Sequence, residues 1–208
     1  MENNEAYILT SFFEFLNADM VSMNELQFKV LLMNYTNFVT HKSQKHGLPG
    51  QTDKFRFYEK GLECRGSFEE LAKKKDFFVE VQKHLQNRVG TLVKSLQKTD
   101  EVIIFSSLPG NYKIVLDPKS NSVKGNFVAA ERLQETKRLD LDIEKDLADI
   151  AFSELLLDHD IFPDRFKRCP GCGTYFYQPT AREKTYCSNS CGHALRQRER
   201  YNPARASK

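Results

Sequence analysis

Four of the chain's five cysteines stand in its last forty residues, as Cys169-Pro-Gly-Cys172-Gly173 and Cys187-Ser-Asn-Ser-Cys191-Gly192, with fourteen residues between the pairs. Two close-spaced thiol pairs suit one metal ion that takes four sulfurs at tetrahedral corners, and Zn²⁺ is the ion whose structural sites are closed in this way. The two-residue gap between Cys169 and Cys172, followed by Gly173, allows a tight knuckle. Cys187 and Cys191 are four apart, so a helix beginning at or just after Cys187 places both on one face. The same residues read alternatively as two disulfides, which need an oxidising compartment. Met1 to Leu16 carries acids where a secretory signal carries basic residues, and no run approaches the roughly 18 apolar residues that span a membrane. The expected location is therefore a reducing cytoplasm with no membrane association. The expected cofactor is one structural Zn²⁺ per chain on Cys169, Cys172, Cys187 and Cys191.

The formal charge of +3 conceals an asymmetry. From Asp164 onward ten Lys or Arg face three acids, a balance of +7, which leaves −4 for residues 1–163. Four thiolates and one Zn²⁺ add −2, so the tail keeps about +5 and a dense positive field suited to a polyanion. The stretch Gly173 to Tyr186 reads as a hairpin with Arg182 and Lys184 near its tip, and Gly192 to Tyr201 as a short basic helix on which Arg196 and Arg200 share a face. With Arg168 before the first cysteine and Arg198 on the helix, these are the candidate nucleic-acid contacts. Guanidinium groups on a metal-fixed base can touch phosphate, read guanine, or both. Tyr175, Phe176, Tyr177 and Tyr186 suit either stacking on bases or a miniature core.

The rest of the chain must position this segment, and 208 residues suffice for one cored domain with a small appendage. Ser11 to Ala18 fits a strand or a helix equally. Ser22 and Glu25 have the form of a capping box opening a helix from Met23 to Lys42, with Leu26, Val30, Leu31 and Phe38 at helical spacing. Residues 46–51 form a loop, and Ser67 and Glu70 make a second capping box. From Asp76 an apolar stripe runs through Phe77, Phe78, Val81, Leu85, Val89, Leu92, Val93 and Leu96. Runs at 102–105, 112–116 and 123–128, separated by turn residues, read as an antiparallel β meander, and a helical pattern from Ala129 leads to Pro163. The expected fold class is α+β, mainly α: a helical body with a small meander and a C-terminal four-cysteine module of hairpin plus basic helix.

Other groups read as structural. Lys73-Lys-Lys75 is a solvated junction, Cys64 a lone small hydrophobe, and the acids Asp140, Asp142, Glu144, Asp146 and Asp149 a wet face at a helix start. None of His41, His46, His84, His159 and His193 forms a two-histidine motif, although His193 lies two residues past Cys191. With no glycine-rich phosphate loop, nucleophile elbow or HExxH pattern, no enzymatic activity is expected.

The order Arg168-Cys169, Cys172, Phe176, Tyr186-Cys187-Ser188, Cys191-Gly192 and a basic helix resembles the CGNR zinc finger, found at the C-terminus of bacterial proteins with a mostly helical ABATE domain. The resemblance covers Arg165 to Arg200 and extends to Phe13-Glu-Phe-Leu-Asn17 as a counterpart of that family's N-terminal apolar-Asn segment. Cys191-Gly192-His193-Ala194 stands where the family has Cys-Gly-Asn-Arg, so its Asn and Arg roles do not transfer. The resemblance implies an ABATE-like domain over 1–163 and a zinc finger over 164–208. It also implies zinc, and DNA as the partner of a transcription regulator. RNA binding and a protein-interaction module with purely structural zinc remain alternatives, as does a homodimer formed through the helical body.

Overall fold

A computed structural model describes residues 3–44, 67–96, 103–107, 112–117, 122–126, 141–157, 161–180 and 184–201. The loop at 46–51, Cys64, the helical pattern over 129–140 with Asp140, His159 and Arg182 lie outside the described residues.

The ambiguous N-terminal run is helical, within α1 (Asn3–Asn17). Ile8, Phe12, Phe15 and Leu16 are all buried, a spacing that puts them on one helical face and that no strand satisfies. Helix α2 (Glu25–Gln44) starts later than the Ser22 box implied. Its box uses Asn24 and Gln27: Gln27 N–H donates to Asn24 Oδ1 at 2.9 Å, and Asn24 N–H donates to Gln27 Oε1 at 3.0 Å. Of the expected apolar positions, Leu31 and Phe38 are inside together with Phe28, Leu32, Tyr35 and Val39, while Leu26 is 72% and Val30 48% exposed.

Ser67 does cap α3 (Phe68–Ala72), with the reciprocal Ser67 and Glu70 bonds both formed. Helix α4 (Lys75–Leu96) buries Phe78, Val81, Leu85, Val89, Leu92 and Val93. Of the lysines Lys73, Lys74 and Lys75 at its start, Lys75 is more than solvated, because its Nζ donates to Val21 O at 3.3 Å and Met23 O at 2.7 Å. Amides on α4 also serve α1, whose last carbonyls lack helical partners. Gln82 Nε2 donates to Phe15 O at 2.7 Å and Ala18 O at 2.8 Å, and Gln86 Nε2 to Leu16 O at 2.8 Å.

The meander forms as expected, with β1 (Ile103–Ser107), β2 (Tyr112–Asp117) and β3 (Ser122–Asn126) antiparallel in the order β1-β2-β3. The registers pair Phe105 with Ile114 and Ile114 with Gly125. Helix α5 (Leu141–Leu156) overturns the reading of its acids as a wet face. Asp142 is exposed, but Glu144, Asp146 and Asp149 are buried, as is Glu154. Burying a carboxylate demands partners. Tyr35 Oη donates to Glu144 Oε1 at 2.7 Å, Arg88 Nη2 to Asp149 Oδ2 at 2.8 Å, and His84 Nε2 lies 2.8 Å from Asp149 Oδ1. These ties lock α5 against α2 and α4.

Aromatic rings fill the space among α1, α2, α4 and α5. Phe15 stacks on Tyr35 with centroids 4.1 Å apart, and Phe12 on Phe152 at 5.4 Å. A fully buried Phe stabilises by roughly 1.5–3 kcal/mol, so this cluster dominates the body. A 3₁₀ turn (Pro163–Arg165) then leads into β4 (Phe166–Arg168), which pairs antiparallel with β5 (Tyr175–Tyr177), and the described chain ends on α6 (Asn189–Tyr201). The fold class is α+β, mainly α. No helix among the described residues is long and apolar enough to cross a membrane.

Candidate metal centre and basic helix

The hairpin of the cysteine segment lies elsewhere than the sequence implied. Tyr175–Tyr177 pairs with Phe166–Arg168, in the register Phe166 with Tyr177 and Arg168 with Tyr175, rather than with residues 184–186. The Cys169–Cys172 knuckle is thus the hairpin's turn. Cys169 N–H donates to Thr174 O and Gly173 N–H to Cys169 O, both at 2.8 Å. Gly173 has φ of 79°, in the left-handed region that a Cβ disfavours.

The second pair is set by a helix start. Cys191 N–H donates to Ser188 Oγ at 3.1 Å, and Gly192 N–H to Ser188 O at 3.2 Å, so Ser188 is the N-cap of α6. Cys187 sits just before that cap and Cys191 in the first turn, the placement expected from their spacing. Gln178, buried, fixes the intervening chain: its Nε2 donates to Thr180 O at 2.8 Å and its Oε1 accepts from Lys184 N–H at 3.0 Å.

All four Sγ atoms lie within 4.8 Å of one another. Cys169 Sγ is 3.5 Å from Cys191 Sγ, and Cys172 Sγ is 3.5 Å from Cys187 Sγ. Disulfide sulfurs would be about 2.05 Å apart, so neither pair is bonded. Zn–S bonds of about 2.3 Å at tetrahedral angles require sulfurs roughly 3.8 Å apart, which these donors meet with little adjustment.

Their acidities differ. Burial raises the Cys169 thiol, but N–H groups of Cys187, Cys172 and Gly171 facing its sulfur outweigh that and bring it down to about 6. The Thr174 hydroxyl, at 2.9 Å, lowers Cys172. Burial raises Cys187, and hydrogen bonding of its thiol to Cys169 and Cys172 raises Cys191 to about 12. Two of the thiols are made more acidic and two less, as expected of four crowded thiols. A metal dication binds thiolates in competition with those protons, so occupancy falls as pH falls.

The cationic residues separate into groups. Arg196, Arg198 and Arg200 are exposed on α6, and Lys184 is exposed before it. Arg168 is exposed on β4, apart from the helix in sequence, with Nε donating to Gly173 O at 3.1 Å and its guanidinium 5.8 Å from the Tyr175 ring centre. His193 is exposed. The aromatics are largely occupied in packing: Tyr177 meets Phe166 edge-on at 5.4 Å, its Oη accepts from Phe162 N–H at 3.1 Å, and the Tyr186 ring lies against Gly192.

Sequence reading passed over the docking role of Asn17. From the last position of α1 it accepts Tyr175 N–H on Oδ1 at 2.9 Å and donates Nδ2–H to Tyr175 O at 2.8 Å, as a strand neighbour would. A lone Asn ending an apolar-aromatic run was the available signal. Phe166 reinforces the dock through Phe13 and Phe152, at 5.7 Å and 6.1 Å. Asn17→Ala is expected to destabilise by about 1–3 kcal/mol, since both Tyr175 groups lose partners. Denaturant unfolding of the metal-loaded chain checks this, and Asn17→Asp, which keeps the acceptor but loses the donor, should also destabilise.

Fold and site together define a mainly helical protein with a C-terminal four-cysteine centre that can hold a metal ion. The chain matches no protein-family model, no curated protein and no solved structure.

Proposed function

We propose that the chain is a zinc-containing, non-catalytic DNA-binding protein, a transcription regulator of the kind its CGNR-like and ABATE-like features imply. The observation that carries the reading is the position of Cys191: a sulfur of the four-cysteine group lies in the first turn of the helix bearing Arg196, Arg198 and Arg200. Zinc bound there supplies a closed structural tie. The chain's own residues do the rest. Ser188 caps the helix, Cys187 and Cys191 anchor its start, and the three exposed guanidiniums present charge to phosphate. Because the Tyr177 and Tyr186 rings are engaged in packing, they offer less to unpaired bases, which favours a duplex over single-stranded RNA.

The test compares duplex DNA with single-stranded RNA at matched salt, by anisotropy on the zinc-loaded chain. The expected result is tighter duplex binding, with log K falling by about 0.9 per neutralised phosphate as log salt rises. Preference for the RNA, or salt-insensitive binding, would contradict the reading.

A further inference from the structure

A cleft of about 610 Å³ opens between α4 and the metal knuckle, within the roughly 300–1,000 Å³ range of small-molecule sites. One wall is Asn87, Thr91 and Lys94 of α4, and the other is Arg168 and the stretch from Cys172 to Tyr175. The two walls come from distant parts of the chain and are joined through the end of α1, where Asn17 binds Tyr175 and Leu16 O accepts from Gln86 of α4.

Among the described residues the lining holds two cations and no acid. Asn17 and Gln86 also border the cleft, but their amides are committed to Tyr175 and Leu16. Thr91 Oγ1 donates to Asn87 O. The donors left without an acceptor among the described residues are Lys94 Nζ, the terminal nitrogens of Arg168, the Asn87 amide and the Tyr175 hydroxyl. That hydroxyl belongs to a half-buried ring and lies so close to Gly90 that a Cβ there would meet it at 2.8 Å. Cys172 also reaches the cleft. Four thiolates with Zn²⁺ carry a net −2 spread over four sulfurs, and the other three do not line the cleft, whereas both cations do.

We propose that this cleft binds a small phosphate-bearing molecule, with Lys94 and Arg168 as its charge partners and Asn87 and Tyr175 as hydrogen-bond donors. A phosphate monoester has charge near −2 and three acceptor oxygens, which matches two cations and neutral donors more fully than a carboxylate does. The inference does not depend on DNA binding. An occupant touching both walls ties the knuckle to α4 and raises the unfolding temperature of the zinc-loaded chain.

The experiment is calorimetric titration of the zinc-loaded full chain with inorganic phosphate and adenosine 5′-monophosphate, monophosphates being poor competitors for a thiolate-bound metal. Saturable binding of at least one probe is expected. Exposed-residue variants Lys94→Glu and Asn87→Asp should weaken it tenfold or more, and Tyr175→Phe several-fold. Lys94→Arg should stay near wild type. Replacing Arg196, Arg198 and Arg200 together with alanine should leave it unchanged. Absence of binding at millimolar probe, equal binding by Lys94→Glu, or loss of binding in the triple variant would overturn the proposal. So would a Lys94→Glu defect confined to duplex binding, which would assign the cleft to a nucleic-acid phosphate.

Discussion

Cys191→Ser is expected to abolish stoichiometric metal binding and to unfold the knuckle and the start of α6 while the helical body stays folded. A serine hydroxyl does not replace a thiolate on zinc, and three sulfurs leave the site open. The segment from Phe166 to Tyr201 has little core of its own: Cys169 and Gln178 are buried, but Cys172 and the α6 arginines are exposed. In so small a unit the metal supplies much of the folding free energy, on the order of 10 kcal/mol in zinc-finger peptides. The body differs, since Phe12, Phe15, Tyr35, Phe78 and Leu147 are fully buried without help from the cysteines. Hydrogen exchange should therefore show protection lost over α6 and the knuckle and retained over α1, α4 and α5. Full metal content with unchanged protection in α6 would remove Cys191 from the site.

The second large effect is expected from replacing Arg196, Arg198 and Arg200 with alanine. If each guanidinium neutralises one phosphate, the slope of log K against log salt becomes shallower by about 2.7, and affinity at physiological salt falls roughly 100-fold or more. Folding and metal content should not change, because all three side chains are exposed and Ser188 still caps the helix. Arg196 and Arg200 share a face that Arg198 does not, so the single replacements are expected to be unequal, with Arg198→Ala the mildest. An unchanged salt slope in the triple variant would place the contacts elsewhere than on α6.

The four-cysteine group was legible because spacing alone encodes it: a knuckle and an i, i+4 pair are local geometries. The hairpin was not, since β4 has only three residues, Phe166-Lys167-Arg168, and reads in sequence as basic chain before a cysteine. Its partner is chosen by packing of Phe166 on Phe13 and Phe152, which no local pattern shows. The apolar face of α2 was legible only in part, with Leu31 and Phe38 inside but Leu26 and Val30 outside, for a related reason. Leu26, Val30 and Met33 are as helically spaced as Phe28, Leu31 and Tyr35, and only the larger aromatic face finds α1 and α4 to pack against. The acids of α5 looked solvated because their partners are remote: Tyr35 is 109 residues from Glu144, and Arg88 is 61 from Asp149. The Asn17 dock spans 158 residues and has the same cause.

The most direct test of the central claim, that zinc on the four cysteines fixes a DNA-binding helix, is metal content and duplex affinity measured on one wild-type sample before chelation, after it, and after zinc is restored. One zinc per chain, loss of salt-sensitive duplex binding when the metal is removed, and recovery on its return are expected. Undiminished duplex binding by the metal-free chain would contradict it.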